Sequence, residues 1–151
     1  MVSPYNDAYF MKQAFLEAQK AYEQDEIPVG AVIVADQQII ARAHNLTQKL
    51  NDVTAHAEIQ AITAASNFIG GKYLNDCTLY VTLEPCPMCA GALYWSQIKK
   101  VVFAARDEKR GASRIKESLY HPKTVVENGI MAEECSQLLQ QFFQQKRAVK
   151  H

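Results

Sequence analysis

Residues 77–105 read CTLYVTLEPCPMCAGALYWSQIKKVVFAA. Cys77–Leu83 is apolar and β-rich, which predicts a buried strand. Pro87–Ser96 predicts a short helix, with proline in the first turn, where its missing N–H leaves no bond unmade. Lys100–Ala105 predicts a second buried strand. Upstream, Val29–Ala35 and Gln38–His44 flank a polar turn at Asp36-Gln37 and predict a hairpin. Phe10, Met11, Ala14, Phe15, Ala18 and Tyr22 recur at helical spacing over Ala8–Tyr22, with Asn6 or Asp7 as N-cap. Thr54–Phe68 predicts another helix, stopped near Gly70-Gly71. Downstream the pattern predicts a short helix over Ile115–Tyr120 and a strand over Thr124–Glu127. Met131–Lys146 predicts a closing helix with Leu138, Leu139, Phe142 and Phe143 on its apolar side. Strands separated by helices imply an α/β layer fold, its sheet covered on both faces and only partly parallel because of the hairpin.

The chain has 151 residues, 48% hydrophobic and 21% charged, which fits one globular domain over 1–151 and excludes wholesale disorder. No apolar run approaches the roughly 18–20 residues that span a bilayer. Met1–Phe10 lacks the basic-then-apolar pattern of a signal peptide. Four cysteines are too sparse for a disulfide scaffold, so the expectation is a cytoplasmic protein with reduced thiols and no membrane partner. Net charge is zero but uneven. Residues 1–98 hold five Lys/Arg against ten Asp/Glu, and residues 99–151 eleven against six. Such a basic half is either a phosphate-facing surface or an ordinary solvated one.

The chemistry concentrates in two short segments. His56-Ala57-Glu58 opens one predicted helix, and Pro85-Cys86-Pro87-Met88-Cys89 opens another. Cys86 and Cys89, three apart, point the same way on a helical turn. A helix N-terminus favours their thiolates. Two thiolates and the His56 imidazole suit zinc and leave a fourth tetrahedral position for water, which is the pattern of a catalytic site. Glu58, two residues from His56, lies off its helix face and is free to serve the water as general acid and base. Closed structural zinc is the other reading, with Cys77, Cys135, His44 or His121 as fourth ligand. Cys77 and Cys135 otherwise read as inert buried thiols.

At these residues the chain resembles the cytidine deaminase-like superfamily, whose zinc nucleobase deaminases carry His-x-Glu followed by Pro-Cys-x-x-Cys. Within it the chain is most similar to the bacterial tRNA-specific adenosine deaminases. The resemblance takes in Ile27-Pro28-Val29-Gly30-Ala31-Val32, Asn45 and Thr54–Ile59. It continues through Leu79–Ala92, Val101–Asp107 and Gly129-Ile130-Met131. It implies a three-layer α/β/α fold with a mixed five-stranded sheet, a homodimer, and one zinc ion per subunit. It implies hydrolytic deamination of the wobble adenosine of a tRNA anticodon stem-loop to inosine, with zinc-bound hydroxide as nucleophile and Glu58 as proton shuttle. It also implies that Asn45 hydrogen-bonds the target base, and that backbone N–H groups near Ala57 and Glu84 line the pocket. Arg106 and Asp107 would lie on the loop that meets the anticodon, and Phe142, Phe143, Lys146 and Arg147 near the RNA.

Two stretches depart from the family pattern. Gly111-Ala112-Ser113-Arg114 lacks a second glycine, and His121-Pro122-Lys123-Thr124 runs straight into Val125-Val126. Guanine deaminases share Glu-Pro-Cys-Pro-Met-Cys and a nearby Tyr-Trp like Tyr94-Trp95, so a free-base or nucleoside deaminase is the enzyme alternative. A zinc-stabilised RNA-binding module is the non-enzyme one.

Overall fold

The computed structural model describes residues 5–149; of the Met1–Phe10 stretch, residues 1–4 lie outside it. The elements run α1 (Asp7–Glu23), β1 (Gly30–Ala35), β2 (Gln38–His44), α2 (Ala57–Ile69) and β3 (Cys77–Leu83). Then come α3 (Pro87–Ser96), β4 (Lys100–Ala105), a 3-10 turn (Ala112–Arg114), β5 (Val125–Asn128) and α4 (Ala132–Val149). The five strands lie in the order β2-β1-β3-β4-β5. β1 is antiparallel to both β2 and β3, whereas β3, β4 and β5 are parallel. The mixed five-stranded α/β sheet is therefore present as expected.

Period-two alternation divides the core into two layers. Ala31, Ile33, Leu79, Val81, Val101 and Phe103 pack with Ala57, Ala61 and Ala65 of α2 and Leu93 of α3. Val32, Val34, Tyr80, Val102 and Ala104 pack with Phe10, Met11 and Ala14 of α1 and Cys135 of α4. The sheet is thus covered on both faces. In the β1–β2 turn Asp36 and Gln37 both have positive φ, 51° and 61°, the twist-matched geometry of a two-residue hairpin. Asn6 caps α1, its side chain accepting the Tyr9 N–H at 2.9 Å. Helix α1 lies so close to β1 that a Cβ on Gly30 would come within 2.1 Å of the Ala14 carbonyl oxygen and 2.3 Å of the Ala18 nitrogen. Only glycine fits there.

Two expectations are corrected. Helix α2 starts at Ala57, not Thr54, because Asp52 Oδ1 accepts both the N–H and the hydroxyl of Thr54 and holds it in a turn. No helix forms over Ile115–Tyr120. The helical turn sits earlier, at Ala112–Arg114, and the chain is extended at Ile115. Ser118 Oγ accepts the Tyr120 N–H at 3.3 Å, a local bond that competes with helix there. Among the described residues, no helix is long and apolar enough to cross a membrane.

Candidate active site

The site forms where α2 and α3 begin. His56 is the N-cap of α2 and Cys86 that of α3, both with extended backbone, and neither side chain makes a capping hydrogen bond. Asn45, at the end of β2, takes over the first of these duties. Its Oδ1 accepts the Ala57 N–H at 2.7 Å, while its Nδ2 donates to the Ile27 carbonyl at 3.1 Å. The His56 ring is thereby left to face the cysteines. Pro87 has no N–H to cap at the start of α3.

His56 Nδ1 lies 3.7 Å from Cys86 Sγ and 3.5 Å from Cys89 Sγ. A sulfur and a nitrogen on one tetrahedral zinc, at ~2.3 and ~2.05 Å, stand about 3.6 Å apart. The donor set therefore matches zinc in both chemistry and spacing. Among the described residues this is the group of three or more His, Cys, Asp or Glu side chains that could hold a metal. The fourth ligands considered from sequence have other surroundings. His44 sits against Glu17 and Gln24, His121 against the Tyr94 ring, and Cys77 and Cys135 in separate core layers. Burial raises both of those thiols, Cys135 to about 12, as inert thiols require.

Electrostatics within the cluster are tightly shared. The Cys89 thiol donates to Cys86, and His56 adds to this, so Cys86 falls to about 4 despite its burial. Cys89 is driven up by giving that hydrogen bond and by burial. The Cys86 thiolate in turn raises His56 against the effect of burial. Glu58 is 4% exposed. Burial pushes its carboxyl up to about 7, against the pull of its own backbone amide and of His56. A carboxyl poised there can exchange protons at neutral pH.

The remaining sequence-derived positions are placed as follows. The N–H of Ala57 goes to Asn45, and that of Glu84 donates to the Ala105 carbonyl at 2.8 Å. Arg106 is exposed where β4 ends. Asp107 Oδ1 accepts the N–H groups of Lys109 and Arg110 at 3.2 and 3.0 Å. The Phe142-Phe143 pair divides. Phe142 is buried edge-on to Tyr22, whereas Phe143 is 41% exposed. Phe143 lines a groove of about 860 Å³ with Ile27, Lys49 and Lys146, and Lys146 pairs with Asp25. Arg147 is exposed on α4.

Sequence reasoning missed three features. The Glu26 carboxylate, 1% exposed, accepts the N–H groups of Gln48 and Lys49 at 3.0 and 2.9 Å, fastening the loop after Asn45. The Glu84 carboxylate does the same for residues 107–113. The Tyr120 hydroxyl is buried with no hydrogen-bond partner among the described residues, and burial with the nearby Glu84 and Glu58 carboxylates raises it above the usual phenol range. A charged residue directly ahead of Ile27-Pro28 or Pro85, beside an apolar strand, was the available signal for the two glutamates.

Residues 4–105 match the family model for the cytidine and deoxycytidylate deaminase zinc-binding region, and the chain belongs to that family. With the donor set above, that membership makes it a zinc enzyme with one ion per chain. More particularly, it is 45% identical over 149 residues to a tRNA-specific adenosine deaminase of Bacillus subtilis (strain 168), covering 95% of this chain and 92% of that one. A solved structure from a study of A-to-I editing by tRNA:A34 deaminases at the wobble position of transfer RNA superposes with a TM-score of 0.81. It is 41% identical and covers 86% of this chain and 98% of that one. A Bacillus subtilis guanine deaminase structure is 46% identical at a TM-score of 0.64, covering 67% of this chain and 65% of that one.

Proposed function

We propose that this enzyme hydrolyses the wobble adenosine of a tRNA anticodon to inosine, releasing ammonia. The observation that carries the reading is the His56, Cys86 and Cys89 donor set with buried Glu58 beside it. Similarity to a tRNA-specific adenosine deaminase over 95% of the chain supports the substrate. His56, Cys86 and Cys89 would hold the zinc, which when bound makes water a ready nucleophile at neutral pH. Glu58 takes a proton from the attacking water and passes it to the ring nitrogen. It then takes the remaining proton from the hydroxyl now bonded to the ring carbon and gives it to the amine as the C–N bond breaks, so adenosine and water become inosine and ammonia. Asn45 retains one further lone pair on Oδ1 and one further proton on Nδ2 for the target base. Arg106 and Asp107 stand on the loop that would meet the anticodon, and the groove under Phe143 would take flanking nucleotides. A base in a single-stranded loop is splayed out at low unstacking cost.

The same reading makes the protein a single cytoplasmic domain over 1–151 acting as a homodimer. Trp95, 76% exposed at the end of α3, supports a contact with a second copy. The guanine deaminase likeness favours a free-base substrate as the second reading. A matched assay separates them: an anticodon stem-loop with wobble adenosine, free guanine and free cytosine, each at low and moderate salt. Inosine in the stem-loop, falling as salt rises, is the expected result. Ammonia from a free base alone overturns the substrate.

A further inference from the structure

Glu84 lies one residue past β3 and two before Cys86, and it is 4% exposed. Its Oε1 accepts the Asp107 N–H at 3.0 Å and its Oε2 accepts the Ser113 N–H at 2.9 Å. The two ends of one loop thus close on a single carboxylate. Between them the chain passes so near that a Cβ on Gly111 would stand 2.4 Å from Glu84 Cδ and 2.6 Å from the Asp107 carbonyl oxygen. The Ala112 N–H donates to the Pro85 carbonyl at 2.9 Å, which ties the same loop to the segment that carries Cys86. Arg106, Lys109, Arg110 and Arg114 are exposed along this segment, while its inner amides point to Glu84. A buried anion is kept where amides satisfy it. Here the amides it selects belong to a loop that presents Lys109 and Arg110 beside Asp107 and Glu108, with Arg106 and Arg114 at its two ends.

We propose that Glu84 is a positioning residue for RNA binding, its carboxylate shaping the 107–113 loop so that the loop's cations face the substrate phosphates. The proposal rests on the RNA reading above. The Glu84 carboxylate acts on substrate through the loop, whereas the metal centre is held by other side chains. Glu84→Gln keeps size but turns one acceptor into a donor facing a loop N–H. Gly111→Ala presses on the same carboxylate from the other side.

The experiment compares both zinc-loaded variants with the parent. It reads zinc content, amide hydrogen exchange over residues 107–113, and KM and kcat on the stem-loop. Expected are full zinc, faster exchange confined to the loop, and a kcat/KM lower by about tenfold, carried mainly by KM. Unchanged loop exchange in both variants overturns the clamp. A loss carried by kcat, or accompanied by zinc loss, overturns the positioning role. Should the parent itself leave the stem-loop untouched, the RNA reading fails and the link to substrate with it, while loop exchange still decides whether Glu84 fastens the loop.

Discussion

Glu58 and Glu84 are equally hidden, at 4% exposure, and both precede the same cysteine pair in sequence, yet their surroundings differ in kind. Around Glu84 the chain supplies backbone N–H groups from Asp107 and Ser113, and Glu26 is treated alike by Gln48 and Lys49. Around Glu58 it supplies, beside the residue's own amide, a thiolate and an imidazole, and burial lifts the carboxyl to about 7. Burial therefore does not say what a carboxyl group does. The groups around it do: at Glu84 and Glu26 loop amides make the carboxyl a fastener, whereas the cluster at Glu58 leaves a carboxyl that can exchange a proton.

The largest effect that tests this contrast is at Glu58. Glu58→Gln should lower turnover by about 10²–10⁴-fold, the usual worth of general acid–base help, while keeping its zinc. Cys86→Ala should instead lose the metal and all activity, because the ligand set is broken. Metal analysis alongside the rate separates the two, and zinc loss in Glu58→Gln would erase the distinction. At Glu26 the expected loss is of stability. Gln leaves one loop N–H facing a donor, costing about 1–3 kcal/mol. Thermal unfolding should show a midpoint lower by a few degrees. A midpoint matching the parent would remove Glu26 from the fastening class.

Glu17, hidden to the same 4% but held by cations, sharpens the comparison. Burial tends to raise it, but Lys20 at 2.8 Å, with His44 and Arg42, outweighs this and holds it below its usual 4.5. A lowered folded value contributes stability above about pH 4.5 that fades as pH falls through that lower value. Lys20 and Arg42 are themselves well exposed, so the contribution is under about 1 kcal/mol. Unfolding free energy measured from pH 6 to pH 3 should fall slightly less steeply in Glu17→Gln than in the parent. Identical slopes would take Glu17 out of the acid response.

The sheet was legible because Val29–Ala35, Cys77–Leu83 and Lys100–Ala105 are apolar, β-rich runs, as strands buried on both faces must be: Val32 and Ile33, or Tyr80 and Leu79, lie in opposite core layers. The metal set was legible because Cys86 and Cys89 are three apart and His56 opens a helix. The Ile115–Tyr120 region was misread for a physical reason. Ser113, at the heart of the turn that does form, is held by Glu84, 29 residues away in sequence. No local periodicity carries that information. The start of α2 lay closer to view, since Asn51-Asp52-Val53-Thr54 contains the aspartate that holds Thr54 out of the helix.

Gly30 carries a consequence for anyone mutating this chain at random. The helix backbone resting on it closes that position to the other nineteen amino acids. In a variant library sorted only for soluble expression, position 30 should empty while position 58 stays diverse. Sorted for deaminase activity, both should empty. Position 30 is thus an internal standard, showing how much of any depletion pattern reflects folding before chemistry is considered.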